Sequence, residues 1–310
     1  RAKTAGEIVS LTNMTTESSS IRSTFSSISA TVTAMRTGTK RQERAVTIKA
    51  KSAMIGYKAT RMVLTSDVTC IDKFVVAPGE SANERRVEVS MNPFAQGGLR
   101  NVYHMKQKCE QSQVAKESRH DIKYSERLKF HLETAKCQAQ ASLYASGFNK
   151  RIADTVKQQK EKKQGQQPHS LDDVPRIDVL CAEVYRLKAP GCPGGFRYLA
   201  VEDRLEGKYE KWNNNDGFVN QSDCLKCQVA QAFSHFSYKS SEKQEMVVDI
   251  QGSGNSSTCM YTDPQVHSVG KEFGRADRRI SGINKFFASH KCNFICREIG
   301  LQPIPCCKKE

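Results

Sequence analysis

Apolar and polar positions alternate in part along the first half of the chain, and a repeat of two residues predicts β-strands. The strand-like segments are rich in β-branched residues, and Gly, Pro and Asn separate them. They cover residues 45–64, 72–77, 85–91, 92–107 and 111–118. Together they predict a twisted antiparallel sheet.

The period of the pattern changes over residues 121–163, where apolar side chains recur three or four positions apart. This spacing predicts a long amphipathic helix or a pair of helices, with Gly147 as a candidate break. The polar, basic segment 157–170 has no period and predicts an exposed helix end followed by a loop.

Strands and helices mix in the second half of the chain. The pattern predicts strands over 174–187, 196–205 and 245–252, a turn or loop over 208–219, and helices over 223–238 and 282–299. The order of these elements predicts an α+β protein of two lobes with a cleft between them.

The domain organisation follows from the same pattern. Seventeen of the first 40 residues are Ser or Thr, so residues 1–44 are predicted to be a disordered tail. Residues 45–200 are predicted to form a β-rich N-terminal lobe with the long helix. Residues 201–310 are predicted to form the C-terminal lobe, which carries the candidate metal sites.

Charge adds a first hint about partners. The chain has 310 residues, and 48 Lys and Arg against 33 Asp and Glu give it a net charge of +15. Such a surplus fits nucleic acid or an acidic or phosphorylated partner. The nucleic-acid hypothesis has only this charge behind it, because no aromatic-interleaved basic patch is present and Trp212 is the only tryptophan. We therefore predict no nucleic acid, and no membrane span because apolar runs are short.

The chain has twelve cysteines, of which most are scattered singly and are predicted to be buried and reduced. This usage predicts a cytoplasmic protein. Cys224 and Cys227 form a CxxC pair, which fits a redox pair or half of a zinc site. No second CxxC stands at zinc-ribbon distance, and a structural role is the favoured interpretation.

A second group of metal-type ligands lies near the C-terminus, in the run SHKCNFIC. Cys292 and Cys296 are four residues apart, so one helical turn would direct both thiolates to one point, and His290 precedes them. Three such ligands suit zinc and need one more partner. The alternative is a packed structural histidine beside two buried thiols.

Three further elements are candidates for handling phosphate. Lys116 lies on a predicted strand, and Gly97, Gly98 and Arg100 lie in or beside a glycine turn that allows an anion to approach the backbone. Asp249 and Gln251 are two apart on a predicted strand, and Asp263 follows a loop, which is a ligand set suited to Mg²⁺. Each element alone also fits an ordinary exposed lysine, a turn or a strand end.

An ordered set of motifs over residues 65–303 resembles the α-kinases, a family of atypical eukaryotic protein kinases. The motifs are NPFAQGGLR, VAKES, VEDRLEGKYEKWNNNDGFV, AFSHFSY, VVDIQG, YTDPQVHS, FGRAD, GINKFF and SHKCNFIC. The usual protein-kinase signatures HRD and DFG and the phosphate-binding loop GxxxxGK are absent. The resemblance implies a serine/threonine protein kinase that uses ATP and Mg²⁺ and carries a structural Zn²⁺.

The resemblance also assigns roles to residues. It implies that Lys116 contacts the ATP phosphates beneath Gly97, Gly98, Leu99 and Arg100, that Glu202 lies beside the adenine, and that Lys211 lines the site. It implies Asp249 as proton acceptor, with Asp263 as the rival, and Gln251 and Asp263 as Mg²⁺ ligands. It also implies that Gly274 and Gly282, in the family's glycine loop, take part in binding the nucleotide. His235 would join His290, Cys292 and Cys296 on zinc.

The chain departs from the family in two segments. The glycine loop has the sequence GRADRRISG, with Arg278 and Arg279 replacing Leu and the middle Gly. The segment between Asp249 and Asp263 is about four residues longer than the family suggests. A pseudokinase or ATP-binding module is therefore the alternative hypothesis. The basic surface favours an acidic protein substrate, and the Ser/Thr-rich tail is a candidate autophosphorylation region.

Overall fold

The computed structural model describes residues 53–64, 74–76, 85–107, 112–162 and 170–304. The tail predicted over residues 1–44 lies outside these residues. Within the described ranges, no helix combines the length and apolar character that crossing a membrane requires.

The described chain contains fourteen strands and four α-helices. The strands are β1 (Met54–Leu64), β2 (Phe74–Val76), β3 (Arg85–Ser90), β4 (Ala95–Gln96), β5 (Arg100–Gln107), β6 (Gln113–Ser118), β7 (Arg176–Val179), β8 (Glu183–Lys188), β9 (Phe196–Asp203), β10 (Glu210–Lys211), β11 (Glu245–Val248), β12 (Gln251–Gly254), β13 (Thr258–Thr262) and β14 (Gln265–Ser268). The helices are α1 (Tyr124–Glu161), α2 (Leu225–Ser240), α3 (Arg279–Ser289) and α4 (Phe294–Glu298).

The large sheet has eight strands in the order β2-β1-β3-β5-β6-β9-β8, with β4 paired to β5, and all its pairs are antiparallel. Strand β8 also pairs with β1, and Ala59 faces both Arg85 of β3 and Leu187 of β8. The sheet therefore closes on itself. Its interior is filled by alternating apolar side chains such as Val87 and Val89.

Helix α1 is 38 residues long, or about 57 Å at 1.5 Å per residue. It runs without a break, so the predicted break at Gly147 is wrong. A Cβ atom on Gly147 would lie 3.6 Å from the Phe236 ring of α2, which is an ordinary van der Waals distance, so the packing of the two helices does not require glycine here. The helix contacts β6, β8 and β9 of the large sheet as well as β7, β14 and α2. It thus connects the large sheet to the rest of the described chain.

A second sheet has the order β10-β12-β13-β7, with β7 parallel to β13, and β11 pairs with β14 in a two-stranded sheet. The predicted strand segment 174–187 therefore divides between two sheets, since β7 joins the second sheet and β8 the large one. Trp212, Phe233 and Tyr261 pack in the core beneath the second sheet. The boundary between lobes at residue 200 stays a prediction.

The single helix predicted over 282–299 is wrong, because the chain forms α3 and α4 with a sharp break between them. His290 ends α3 in an extended conformation. Asn293 begins α4, and its Oδ1 accepts a hydrogen bond from the Cys296 N–H group at 3.1 Å. Cys292 therefore lies in the connection and only Cys296 on a helix, so the prediction of one shared helical turn is also wrong.

Candidate active site

A cavity of about 740 Å³ lies between strands of the large sheet and strands of the second sheet. This volume is typical of small-molecule sites. Its lining includes ten residues singled out from the sequence, namely Gly97, Gly98, Leu99, Arg100, Lys116, Glu202, Lys211, Asp249, Gln251 and Asp263. Arg100 and Asp263, which are 163 positions apart in the chain, thus meet at one place.

Lys116 of β6 lies at the centre of the charged groups and is only 5% exposed. Its Nζ lies 2.6 Å from Glu202 Oε1 on the neighbouring strand β9 and 2.8 Å from Thr262 Oγ1. The register of β6 and β9 puts Lys116 and Glu202 on the same face as diagonal neighbours. The alternative of an ordinary exposed strand lysine is therefore wrong.

Asp263 meets two cations. Its carboxylate is paired with Arg100 Nη1, and its Oδ2 lies 3.2 Å from Lys116 Nζ. Burial acts to raise its pKa, but the charges of Arg100 and Lys116 outweigh burial and hold the pKa below the usual value of an aspartate. Asp263 is thus an ionised group, and its φ of 55° lies in the left-handed region, as is common at functional sites.

Asp249 is the contrasting carboxyl group. Burial raises its pKa even though Lys211 Nζ lies 2.6 Å from its Oδ1. It lies between β11 and β12 with a φ of 61°, so the prediction that it shares a strand with Gln251 is wrong. The turn nevertheless brings the two together, since Gln251 Nε2 donates to Asp249 Oδ2 at 3.3 Å.

The floor of the cavity comes from the register of the second sheet. Lys211, Gln251 and Thr262 stand side by side on β10, β12 and β13. The approach of β13 requires a glycine after Gln251, because a Cβ atom on Gly252 would lie 2.0 Å from the Met260 carbonyl oxygen. The sequence QG thus places a polar side chain and a close strand contact at adjacent positions.

The glycine turn over the cavity joins β4 to β5, as predicted. Gly97 N–H donates to the Arg100 carbonyl at 2.8 Å. The turn is anchored from the segment that follows β6, where Arg119 N–H donates to the Leu99 carbonyl at 2.9 Å and His120 Nε2 lies 3.0 Å from the Gly98 carbonyl. Sequence reasoning did not single out this anchor.

Two buried polar residues of the site were also missed. Thr262 Oγ1 donates to Glu202, and Gln138 Nε2 of α1 donates to the other carboxylate oxygen of Glu202 at 2.7 Å. The available signal for Gln138 was its position: it is a polar residue on the buried face of α1, between Ala135 and Ala141.

The structure does not bring Gly274 and Gly282 to the cavity. A Cβ atom on Gly282 of α3 would lie 2.3 Å from the His267 ring, and one on Gly274 would lie 2.2 Å from Glu133 Oε2. Gly282 thus serves close packing, whereas the φ of 77° at Gly274 is a conformation that favours glycine. The loop between them is held by buried Asp277, whose carboxylate accepts hydrogen bonds from the backbone N–H groups of Ser268, Phe273 and Arg279.

A separate cluster is formed by His235 of α2 with His290, Cys292 and Cys296, whose ligand atoms all lie within 4.8 Å of one another. Cys292 Sγ lies 3.6 Å from His235 Nδ1 and 3.7 Å from His290 Nε2. Burial lowers the pKa of His235 to about 4 and that of His290 to about 3, so both rings are neutral. Neutral imidazole and thiol sulfur are donors that zinc favours.

Comparison with known proteins agrees with this architecture. The model of the alpha-kinase family matches residues 95–296, and the chain belongs to that family. The alpha-kinase domain of myosin heavy chain kinase A, solved in complex with AMP, has the same fold with a TM-score of 0.60 at 24% identity. The match covers 81% of this chain and all of that domain. The predicted α+β fold is thereby confirmed.

Two relatives have longer sequences than the matched part. Alpha-protein kinase 1 of Dictyostelium discoideum is 36% identical over 217 residues, which are 68% of this chain and 14% of that protein. Eukaryotic elongation factor 2 kinase of Mus musculus is 31% identical over 240 residues, which are 74% of this chain and 28% of that protein. This chain thus spans a minor part of the length of these relatives.

Proposed function

We propose that this chain transfers the γ-phosphoryl group of ATP to serine or threonine hydroxyl groups of a protein. The observation that carries the proposal is the cluster of Arg100, Lys116, Asp249 and Asp263 at one cavity. Phosphoryl transfer needs cations that neutralise phosphate charge and a carboxylate near the attacking hydroxyl. A related domain is known in complex with AMP, which supports nucleotide binding in this fold.

The cations are suited to hold the phosphates. Lys116 and Arg100 are both buried, and cations in a site of low polarity stabilise transferring charge more strongly than they would in water. Both now pair with Asp263, so an arriving phosphate competes with that carboxylate for them. Gly97, Gly98, Leu99, Glu202 and Lys211 complete the proposed nucleotide contacts.

The pKa shifts of the two aspartates have opposite signs, and this difference supports a different role for each. The pKa of Asp263 is lowered, and an always-ionised carboxylate together with the Gln251 amide is the type of ligand set that Mg²⁺ takes. Mg²⁺, when bound, would neutralise charge on the phosphates. The pKa of Asp249 is raised by burial, which makes it the better proton acceptor for a hydroxyl group.

A structural zinc ion is proposed at His235, His290, Cys292 and Cys296. Ligand atoms of a tetrahedral zinc site lie roughly 3.3–3.8 Å apart, because the bonds are about 2.0–2.3 Å long. The distances of 3.6, 3.7 and 3.8 Å between cysteine sulfur and histidine nitrogen agree with this geometry. Four protein ligands leave no open position, so the ion would stabilise the fold.

An assay for phosphoryl transfer tests the proposal. The chain is incubated with γ-labelled ATP, Mg²⁺ and acidic or basic Ser/Thr-containing proteins, and the labelled residues are mapped. We expect acid-stable label on Ser or Thr, including label on the chain itself if the tail is a substrate. Tight ATP binding without any transfer would instead establish the alternative of an ATP-binding module. The acidic substrate and the cytoplasmic location stay predictions.

A further inference from the structure

The CxxC pair lies outside both sites described above. Cys224 immediately precedes α2 and is exposed, whereas Cys227 lies in the first turn of the helix and is 3% exposed. Their sulfur atoms are 2.8 Å apart. A disulfide bond, which is about 2.05 Å long, therefore needs only a small closing movement of two side chains that already face each other.

The surroundings of the two sulfurs are asymmetric. Cys224 Sγ accepts a hydrogen bond from the Cys227 N–H group at 3.4 Å at the positive end of α2, and Lys226 lies between the two cysteines. Burial opposes ionisation of Cys224, but hydrogen bonds from Cys227 and the charge of Lys226 lower its pKa. Burial and the neighbouring Cys224 raise the pKa of Cys227 to about 12. One thiol is thus accessible and acidic, and the other is buried and protonated.

The pair has no further ligands that would make it a metal site. Among the residues that the structure describes, the only group of three or more metal-ligating side chains is the His235, His290, Cys292 and Cys296 cluster. The nearby thiol of Cys259 is fully buried, and burial raises its pKa to about 11. The interpretation as half of a zinc site is therefore not favoured.

We propose that Cys224 and Cys227 form a redox-active dithiol that hydrogen peroxide or another hydroperoxide oxidises to an intramolecular disulfide. The Cys224 thiolate attacks the peroxide oxygen, the O–O bond breaks, and Cys224 becomes a sulfenic acid while the leaving oxygen takes a proton to give water or an alcohol. The Cys227 thiol then attacks the Cys224 sulfur, and the sulfenic hydroxyl leaves with the thiol proton as water. Two thiols thus give up two electrons to one peroxide.

The chain contains its own matched control. Cys181 is also an exposed residue, but the protein around its sulfur partly desolvates it, and this effect and the charges of Glu183 and Asp203 raise its pKa. At neutral pH we expect Cys224 to be alkylated about tenfold faster than Cys181, since reactivity follows the thiolate fraction. The proposal is independent of the proposed kinase activity, because neither Cys224 nor Cys227 lines the cavity.

Trypsin separates the relevant thiols. Cleavage after Lys226 puts Cys224 in the peptide 212–226 and Cys227 in the peptide 227–239, while Cys181 lies in 177–186. The full reduced chain is treated with hydrogen peroxide, its remaining thiols are alkylated, and peptides are mapped by mass spectrometry. We expect a disulfide to link peptides 212–226 and 227–239 at a lower peroxide concentration than is needed to oxidise any other cysteine. Dithiothreitol should then separate the two peptides.

Two variants trace the order of events. In Cys227→Ser, the sulfenic acid on Cys224 cannot be resolved, and a dimedone adduct should accumulate on peptide 212–226. In Cys224→Ser, neither a linked pair nor an early adduct is expected. Equal alkylation rates for Cys224 and Cys181 in the wild-type chain would overturn the proposal. Oxidation of other cysteines that leaves this pair reduced would also overturn the proposal. Both results are read from the wild-type chain, so they do not depend on whether the variants fold.

Discussion

The cavity cluster and the His/Cys cluster are assembled alike, from side chains that are distant in the sequence, but they differ in charge and surroundings. Arg100 and Lys116 each form an ion pair with Asp263 at the edge of a cavity. His235 and His290 are neutral and lie against the rings of Phe286 and Phe287. Charged partners beside a cavity can be exchanged for those of a ligand, whereas neutral donors packed among aromatic rings hold one arrangement. The first cluster therefore suits chemistry and the second suits structure.

The largest expected effect comes from the central cation of the cavity. Lys116→Met should lower the rate of phosphoryl transfer by more than about 100-fold, because it removes the buried charge that is proposed to face the ATP phosphates. Labelled-ATP transfer rates provide the measurement. Lys160→Met, which removes an exposed lysine paired with Asp172 on the surface, is the control and should leave the rate unchanged. Equal rates for wild type and Lys116→Met would show that the cavity is not the site of phosphoryl transfer.

The His/Cys cluster should respond in stability rather than in chemistry. The purified wild-type chain should contain about one zinc per molecule by metal analysis, and Cys292→Ser should contain much less. Loss of the metal should cost about 3–5 kcal/mol, or roughly 10 °C in the midpoint of thermal unfolding. Cys181→Ser, an exposed thiol outside the cluster, should retain both zinc and stability. Wild-type protein prepared without chelator and free of zinc would contradict the site.

The two aspartates should show opposite effects of pH on stability. The lowered pKa of Asp263 stabilises the folded state at pH above the ordinary aspartate value of about 3.9, and this contribution is lost as pH falls through the folded value. Asp263→Asn should therefore destabilise the chain at pH 7 and less so in acid. The raised pKa of Asp249 has the reverse sign, and its ionisation costs stability as pH rises through the folded value.

Asp249→Asn should accordingly raise the free energy of unfolding at pH 7, with the gain vanishing below about pH 3.9. Urea unfolding of wild type and both variants across this range is the measurement. If both substitutions shift stability in the same direction at pH 7, the contrast between the two carboxyl groups is wrong.

The smallest expected effect tests whether Gln138 positions Glu202 at the cavity or only stabilises the fold. Gln138→Leu removes the hydrogen bond to Glu202, the partner of Lys116, and should raise the KM for ATP several-fold. Gln140→Leu is a matched control on the same helix, because Gln140 Nε2 donates at 2.8 Å to Glu245, outside the cavity. Each variant should lose about 1.5–3 kcal/mol of stability, which is typical of a hydrogen bond to a charged group. An unchanged KM in Gln138→Leu would make that residue merely structural.

The fold and much of the cavity lining could be predicted because the signals are local. Alternation predicts strands such as β3, where Val87 and Val89 fill the sheet interior, and the motifs single out Lys116, Asp249 and Asp263. What these side chains pair with depends on strand register, which a single sequence does not encode locally. The Lys116–Glu202 pair follows from β6 lying beside β9, and the two strands are separated in the sequence by α1, β7 and β8.

The predictions that the structure contradicts also failed for physical reasons. Gly147 lowers helix propensity, but packing of the adjacent Phe148 against Phe233 and Phe236 of α2 outweighs that cost, and α1 stays unbroken. The apolar period over 282–299 continues across the break at His290 because both α3 and α4 bury a face, and only the Asn293 cap signals the new start. Asp249 left its predicted strand because an aspartate tolerates a positive φ that strand propensity does not anticipate.

The central claim is that the cavity performs chemistry and does not merely hold a nucleotide, and Asp249→Asn tests it most directly. Asn has nearly the same shape as Asp but cannot accept the hydroxyl proton. Calorimetry should give an ATP affinity close to that of wild type, while labelled-ATP transfer should fall by about 10²–10⁴-fold. Wild-type transfer rates in Asp249→Asn, at unchanged ATP affinity, would contradict the account.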